Sequence, residues 1–365
     1  MGPCRPQPLD AARPTRTHSF QSMSDTTISR IDAFIRRDPA KRGLIGSESK
    51  FGPLCPGHLA EAAAQLAEFG RSVAIVTGFY IPGGNPPAAE TDGPPGAVLL
   101  AQALQLIGID SVIVTDGFCW SALLAAASAS DFPIERLLRY PYSLGDFEAG
   151  GVWRREFFST RPELSHLIAI ERVGPSHTID SLTSQPRPGD PPIEAFEGKV
   201  AIDHRDHSHN MRGEMIDEYA GDLHRLFEES ASALPAIKTI GIGDGGNEIG
   251  MGAIPWEHLE RRLAGEQSGR VPCRVPCGWN IVAGTSNWGA WALAAATLHL
   301  RGQADLLRAF SVEKQRWVLE QMVQHGPAVD GVTGRREATV DGIAFPEYVQ
   351  PWEEMRRELG VDSVA

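Results

Sequence analysis

The chain has 365 residues, 42% of them hydrophobic, enough to enclose a sizeable core and so unlike a disordered tail or a small stapled scaffold. Lys and Arg number 34 against 46 Asp and Glu, and the formal charge of −12 argues against a general nucleic-acid or anionic-membrane surface. The 38 glycines and 27 prolines exceed ordinary usage without reaching low complexity, and no apolar run approaches the roughly 18 residues of a membrane-spanning helix.

Residues 1–22 lack periodicity and hold three arginines, so they read as a leader-like or upstream extension, with Met23 as an alternative start. Residues 1–30 are expected outside the fold, and 31–365 as one unit with an irregular insertion at about 175–209. Helical spacing marks 58–69, which Gly70 ends, and SVAIVTG at 72–78 is a buried strand. A helix follows at 96–107, a strand at 111–116, a helix at 120–129 and a short strand at 137–141. Strands are expected at 166–171 and 199–203, a helix at 215–230, and strands at 237–243 and 280–285. Helices at 289–300 and 312–326 close the pattern, with Trp291 and Trp317 expected in the core. Alternation of strands and helices implies parallel βαβ units, and continuously apolar strands imply helices on both faces. The fold class is therefore α/β: a mostly parallel, helix-covered, Rossmann-like doubly wound sheet with its site loops at the strand carboxyl ends.

Five strand ends carry polar clusters. They are the Gly/Pro loop with Glu90, Thr91, Asp92 and Gly93; Asp116; Glu171 and Arg172; Asp244, Gly245, Gly246, Asn247 and Glu248; and Ser286 with Asn287. If the carboxylates converge, their repulsion calls for a hard cation, Mg²⁺ or Mn²⁺, or for raised pKa values. Gly93, Gly245 and Gly246 can offer backbone amides to an anion, and Arg172 and Arg212 can each hold a carboxylate. Such a site suits a small amino or dicarboxylic acid, or a phosphate ester. Plainer roles compete: Asp92 as a helix N-cap, Asp116 in an Asx turn, Glu171–Arg172 as an ion pair, and Asp203–His209 as a solvated loop.

Other chemistries find no motif. The five scattered cysteines are not a disulfide framework, and Cys273 and Cys277 read as thiols flanking a turn rather than a zinc site. The five lysines lie outside the clusters, which disfavours pyridoxal phosphate; no nucleotide-binding glycine motif, serine-hydrolase elbow or D-x-D nucleophile is present. No NAD, pyridoxal phosphate or nucleotide is expected.

Several strings in order, PPAAETDGPPGA (86–97), AIER (169–172), NMRG (210–213), GIGDGGNEIGMG (241–252), VAGTSNWGAWAL (282–293), DGVTG (330–334) and VDG (340–342), resemble the D-glutamate cyclase C-terminal domain family. The resemblance spans about residues 50–345 and implies a stand-alone hydro-lyase that cyclises D-glutamate to 5-oxo-D-proline, in the cytoplasm or, in a eukaryote, the mitochondrial matrix. Under that implication Glu90, Asp92, Asp244 and Glu248 are expected as metal or acid/base groups. Arg172 and Arg212 would hold the substrate carboxylates, and Asn247, Ser286 and Asn287 would orient it. Thr91, Gly93, Asp116, Glu171, Asn210, Gly245 and Gly246 complete the expected contacts. The partner is an acidic amino acid, with no nucleic acid or membrane; a homo-oligomer is left open. Ser208 and His209 replace an aromatic residue that the family tends to place before N-x-R, and Gly278 replaces an expected acid. A metal-dependent phosphatase and a non-catalytic amino-acid-binding protein are the competing readings.

Overall fold

The computed structural model describes residues 17–141 and 147–362. Six strands form the central sheet: β1 (Ser72–Thr77), β2 (Asp110–Thr115), β3 (Leu137–Arg139), β4 (Leu164–Ile170), β5 (Lys238–Gly243) and β6 (Trp279–Val282). They are all parallel, in the order β3-β2-β1-β4-β5-β6. This is the doubly wound order, and its direction of winding reverses between β1 and β4, where a crevice opens beyond the strand ends.

Strand residues alternate between two cores. Val73, Ile75, Ile168 and Ile240 face one side, which is covered by α1 (Thr17–Ile35), α2 (His58–Phe69), α3 (Pro94–Leu106), α4 (Trp120–Ala129), α7 (Ser286–Leu300), α8 (Val312–His325) and α9 (Gln350–Glu358). Ala74, Val76, Leu167 and Ala169 face the other, beneath α5 (Phe147–Ser159), α6 (His224–Ala233) and long irregular segments. Helix α7 is buried all round over Ser286–Leu298, which explains why its sequence shows no polar stripe. It packs closely on α3: a Cβ on Gly96 would lie 2.8 Å from Asn287 Oδ1 and 2.9 Å from Ala290 Cβ. Among the described residues no helix is long and apolar enough to cross a membrane.

Four expectations need correction, and one helix was missed. Residues 17–22 begin α1, whose Ile28, Ile31 and Ile35 enter the main core; residues 1–16 lie outside those described. The apolar run at 199–203 is not a strand: Val200 ends a helix at Ile193–Lys199 and packs with Leu182, Phe196 and Trp256 in a satellite cluster. The helix at 215–230 forms only from His224, because the Gly221 amide is drawn 3.0 Å to Asp116 Oδ2. Helix α5 was not anticipated from its glycine-containing sequence, and a side chain at Gly150 would collide with the Tyr140 hydroxyl. Trp291 is buried as expected, but Trp317 is half exposed on the outer face of α8.

Candidate functional site

The crevice at the switch point holds a cavity of about 320 Å³ lined by Arg42, Phe79, Glu90, Glu171, Asn210, Arg212, Asn247 and the turn 331–334, among others. Glu90 reaches it from the loop after β1, where its amide donates to Phe79 O at 2.9 Å. Glu171 reaches it from the residue directly after β4. Its φ of 45° is the left-handed conformation, uncommon for a residue with a side chain and a usual sign of a position held by its surroundings. At this turn successive side chains part company. Glu171 enters the cavity, where its Oε2 accepts from Ser286 Oγ at 2.6 Å, while Arg172 goes to the opposite side.

Beneath the cavity lies an acidic floor. Arg42, carried on the loop after α1, donates through Nη1 to Asp244 and through Nη2 to Asp341. Both aspartates are buried, and the second carboxylate oxygen of each has no hydrogen-bond partner, as is also true of Glu90 Oε1. Asp330 shapes the adjoining rim. It accepts from the amides of Val332, Thr333 and Gly342 at 2.7–2.9 Å and from Thr339 Oγ1 at 2.6 Å.

The helix-end amides find acceptors inside the protein. Asp92 caps the start of α7, accepting from Ser286 N at 2.7 Å and Asn287 N at 2.8 Å. Asn287 answers by capping α3: its Oδ1 accepts from Gly93 N at 3.1 Å and Gly96 N at 2.7 Å. Pro94 and Pro95 supply no amides to that turn. The Glu248 carboxylate accepts from the amides of Asp244, Gly245 and Gly246 at 2.6–3.0 Å. The expectation that Gly93, Gly245 and Gly246 bind a ligand anion is therefore corrected, since each amide already serves a side chain of the chain itself. Asp92 does accept first-turn amides, but of a helix distant in sequence whose own N-cap residue is Thr285. Thr91 likewise turns inward, its hydroxyl donating to Thr339 O at 2.8 Å.

Arg172 and Asp116 lie outside the cavity. Arg172 Nη2 is 2.7 Å from Asp116 Oδ2, and Arg172 also donates to Gly78 O at 2.9 Å and Gly221 O at 2.6 Å. Asp116 Oδ1 accepts from Phe118 N and Cys119 N, an Asx turn, the plainer alternative to the expected substrate contact. The partner of Arg172 is thus Asp116 rather than Glu171 or a substrate, and its expected contact with a bound carboxylate is corrected. Arg212 does line the cavity, exposed at its mouth, on a turn held by Asn210 Oδ1 accepting from Arg212 N and Glu214 N. Asn247 also lines it, with Nδ2 donating to His209 O at 2.8 Å. In the Asp203–His209 segment, His207 pairs with Asp217 at 2.8 Å while His209 is buried, so this loop is only partly solvated. Cys273 and Cys277 are free buried thiols.

Arg42, Asp330 and Asp341 are missing from the set marked by sequence reasoning. Both aspartates lie in Asp-Gly strings already noted, an available signal; Lys-Arg-Gly at 41–43 carries none.

Burial raises the Glu90 pKa well above the ordinary carboxylate range, and Glu171 and Asp341 add to the shift. Glu171 is raised for the same reason, with Glu248 and Asp92 adding and the Ser286 hydrogen bond opposing. Burial pushes Asp92 to about 7, assisted by Asp341 and opposed by its backbone donors. Asp244 is raised by burial against the pull of Arg42. Burial disfavours the Arg42 charge, but Asp244 and Asp341 more than restore it. Carboxylate oxygens of Asp92, Asp244 and Asp341 all lie within 4.8 Å of one another, as do those of Glu171, Asp244 and Glu248. These hard oxygens, some unpartnered, fit Mg²⁺ or Mn²⁺. The arrangement can move protons between buried carboxyl groups and neutralise an acidic ligand.

A model of the family described as D-glutamate cyclase-like, C-terminal, matches residues 31–183 and 197–356. Human mitochondrial D-glutamate cyclase is 30% identical over 355 residues, a match covering 90% of this chain and 51% of that protein. The chain spans about half the length of that curated relative.

Proposed function

The chain belongs to the D-glutamate cyclase-like, C-terminal family, and from that premise we propose that it is a hydro-lyase closing D-glutamate to 5-oxo-D-proline with loss of water. The observation that carries the reading is the pairing of two buried carboxyl groups, Glu90 and Glu171, on one cavity, both raised by burial, with Glu171 raising Glu90 further. Such a pair retains a proton near neutrality and can serve as acid and base together. Glu171 accepts from Ser286, which favours its ionised form; Glu90 keeps an unpartnered oxygen, which favours its neutral form.

The proton inventory then closes. Ionised Glu171 takes one proton from the substrate ammonium, and the freed amine attacks the γ-carboxyl carbon as Glu90 protonates a γ-oxygen. The nitrogen returns a proton to Glu90. Glu171 then protonates the departing hydroxyl, which leaves as water while the lactam C–N bond persists, and both residues end as they began. Holding amine and carboxyl in one cavity turns orientation into rate, since the ring closure is intramolecular. Asp92, Asp244 and Asp341 would hold the divalent cation, which when bound supplies Lewis acidity toward the γ-carboxyl group. A phosphoester substrate is less well supported, because the amides suited to a phosphate already serve Glu248, Asp92 and Asn287.

The test is incubation with D- or L-glutamate, with Mn²⁺ or EDTA, and chiral chromatography of 5-oxoproline. Product from D-glutamate is expected. Its absence with Mn²⁺ present, alongside tight D-glutamate binding, would replace the enzyme reading with a binding protein.

A further inference from the structure

We propose that Arg42 is a catalytic residue of this site, its guanidinium receiving the γ-carboxyl group and stabilising the negative charge that develops on oxygen as the ring closes. The inference rests on the cyclase reading and adds to it the group that makes a carboxylate attackable. A carboxylate is a poor electrophile, and one entering this cavity meets the acids Glu90 and Glu171. Two cationic side chains line the cavity among the described residues. Arg212 stands exposed at the mouth, whereas Arg42 sits at the floor between Asp244 and Asp341.

The arginine is built into place. Asp38 Oδ1 accepts from Arg42 N at 2.8 Å, and Asp38 Oδ2 accepts from Gly43 N at 2.9 Å and Gly46 N at 3.2 Å. Gly43 has φ of 97° and lies so close to Arg262 O that a side chain there would collide. The loop is therefore stiff, and the buried carboxylates of Asp244 and Asp341 orient the guanidinium. Of its five N–H donors, one on Nη1 and one on Nη2 are committed to those aspartates, and no other acceptor among the described residues is bonded to it. A donor fixed in position before the charge appears is the arrangement that lowers a barrier most. Arg42 stays protonated throughout and transfers nothing; its partner is the oxyanion that forms when nitrogen bonds to carbon and collapses when water leaves.

The experiment compares wild type, Arg42→Ala and Arg42→Lys in D-glutamate turnover with Mn²⁺ present, each with and without millimolar guanidinium chloride, and with folding checked by circular dichroism. Arg42→Ala is expected to lose about 10²–10³-fold, chiefly in kcat. Guanidinium should restore at least about tenfold of it, since removal of one positioned donor leaves the rest of the oxyanion site intact. Unchanged turnover in Arg42→Ala, or a folded and inactive Arg42→Ala that guanidinium does not rescue, would overturn the assignment. Should Arg42→Ala fail to fold, Arg42→Lys decides: a fall in kcat with unchanged thermal stability supports the role, and wild-type kcat overturns it. A wild type that forms no 5-oxoproline overturns the cyclase reading and this inference together; an active wild type with an indifferent Arg42→Ala overturns the arginine's role alone.

Discussion

Replacing Arg172 with methionine separates two roles for a buried arginine. Its side chain and that of Asp116 are 1% and 0% exposed, and Nη2 lies 2.7 Å from Oδ2. Methionine fills much of the volume but leaves the Asp116 carboxylate with backbone amides alone, and leaves Gly78 O and Gly221 O without their donor. Breaking one side of a buried pair costs about 3–5 kcal/mol, because the surviving charge stays desolvated. Against a domain stability of about 5–15 kcal/mol, that is a large share. Urea unfolding should show the loss as a lower midpoint at unchanged slope. The double variant Asp116→Asn, Arg172→Met should recover much of it, since removing both charges is nearly neutral. On the cyclase reading, folded Arg172→Met protein should keep KM close to wild type, because Arg172 does not line the cavity. A variant within about 1 kcal/mol of wild type whose KM for D-glutamate rises steeply would refute the argument and return Arg172 to the substrate.

Three further outcomes follow from the site. The raised carboxyl pKa values make folding stability highest where these groups are neutral in both states, and that stability is lost as pH rises through the folded values, about 7 for Asp92. Above about pH 6.5 the histidines that burial depresses are neutral in both states, so metal-free urea midpoints should fall from there upward and Asp92→Asn should flatten the slope; a rising midpoint contradicts the shifts. Glu90→Gln and Glu171→Gln should each cut kcat by about 10²–10⁴, and a loss below about tenfold in either would remove it from proton transfer. Asp341→Asn should weaken Mn²⁺ binding, read by electron paramagnetic resonance, by at least about tenfold; equal affinity would place the cation elsewhere.

The sheet was legible because each parallel strand is an apolar run bounded by glycine or a polar cluster, and because parallel topology places those clusters at one end. Glu171, Asp244 and Glu248 gather there, with Glu90 on the same cavity as Glu171. Their neighbours were not legible. Arg42 comes from a loop about 200 residues away from Asp244, and no local pattern announces such a contact. Glycine amides looked available to a ligand because a sequence cannot show that Glu248 or Asn287 takes them. Glu171 and Arg172, adjacent in sequence, serve opposite sides because a left-handed turn separates them. The helix expected at 215–230 fails in its first half for a tertiary reason: Gly221 is bound to the Asp116–Arg172 pair.

The exchange of caps between α3 and α7 has a consequence for how the protein comes into being. The Gly93 and Gly96 amides leave the ribosome with their acceptor, Asn287, still 194 and 191 residues from being synthesised. Until that side chain arrives, the first turn of α3 lacks its acceptor, and Asp92 lacks the Ser286 and Asn287 amides that donate to it. The nascent first half can align β1 and β2, yet the floor of its crevice stays wet and unset. Contacts this remote in sequence form late. The newborn chain thus aligns β1 and β2 before its acidic cavity, which is completed only when the last third, with β6, Asn287 and Asp341, docks.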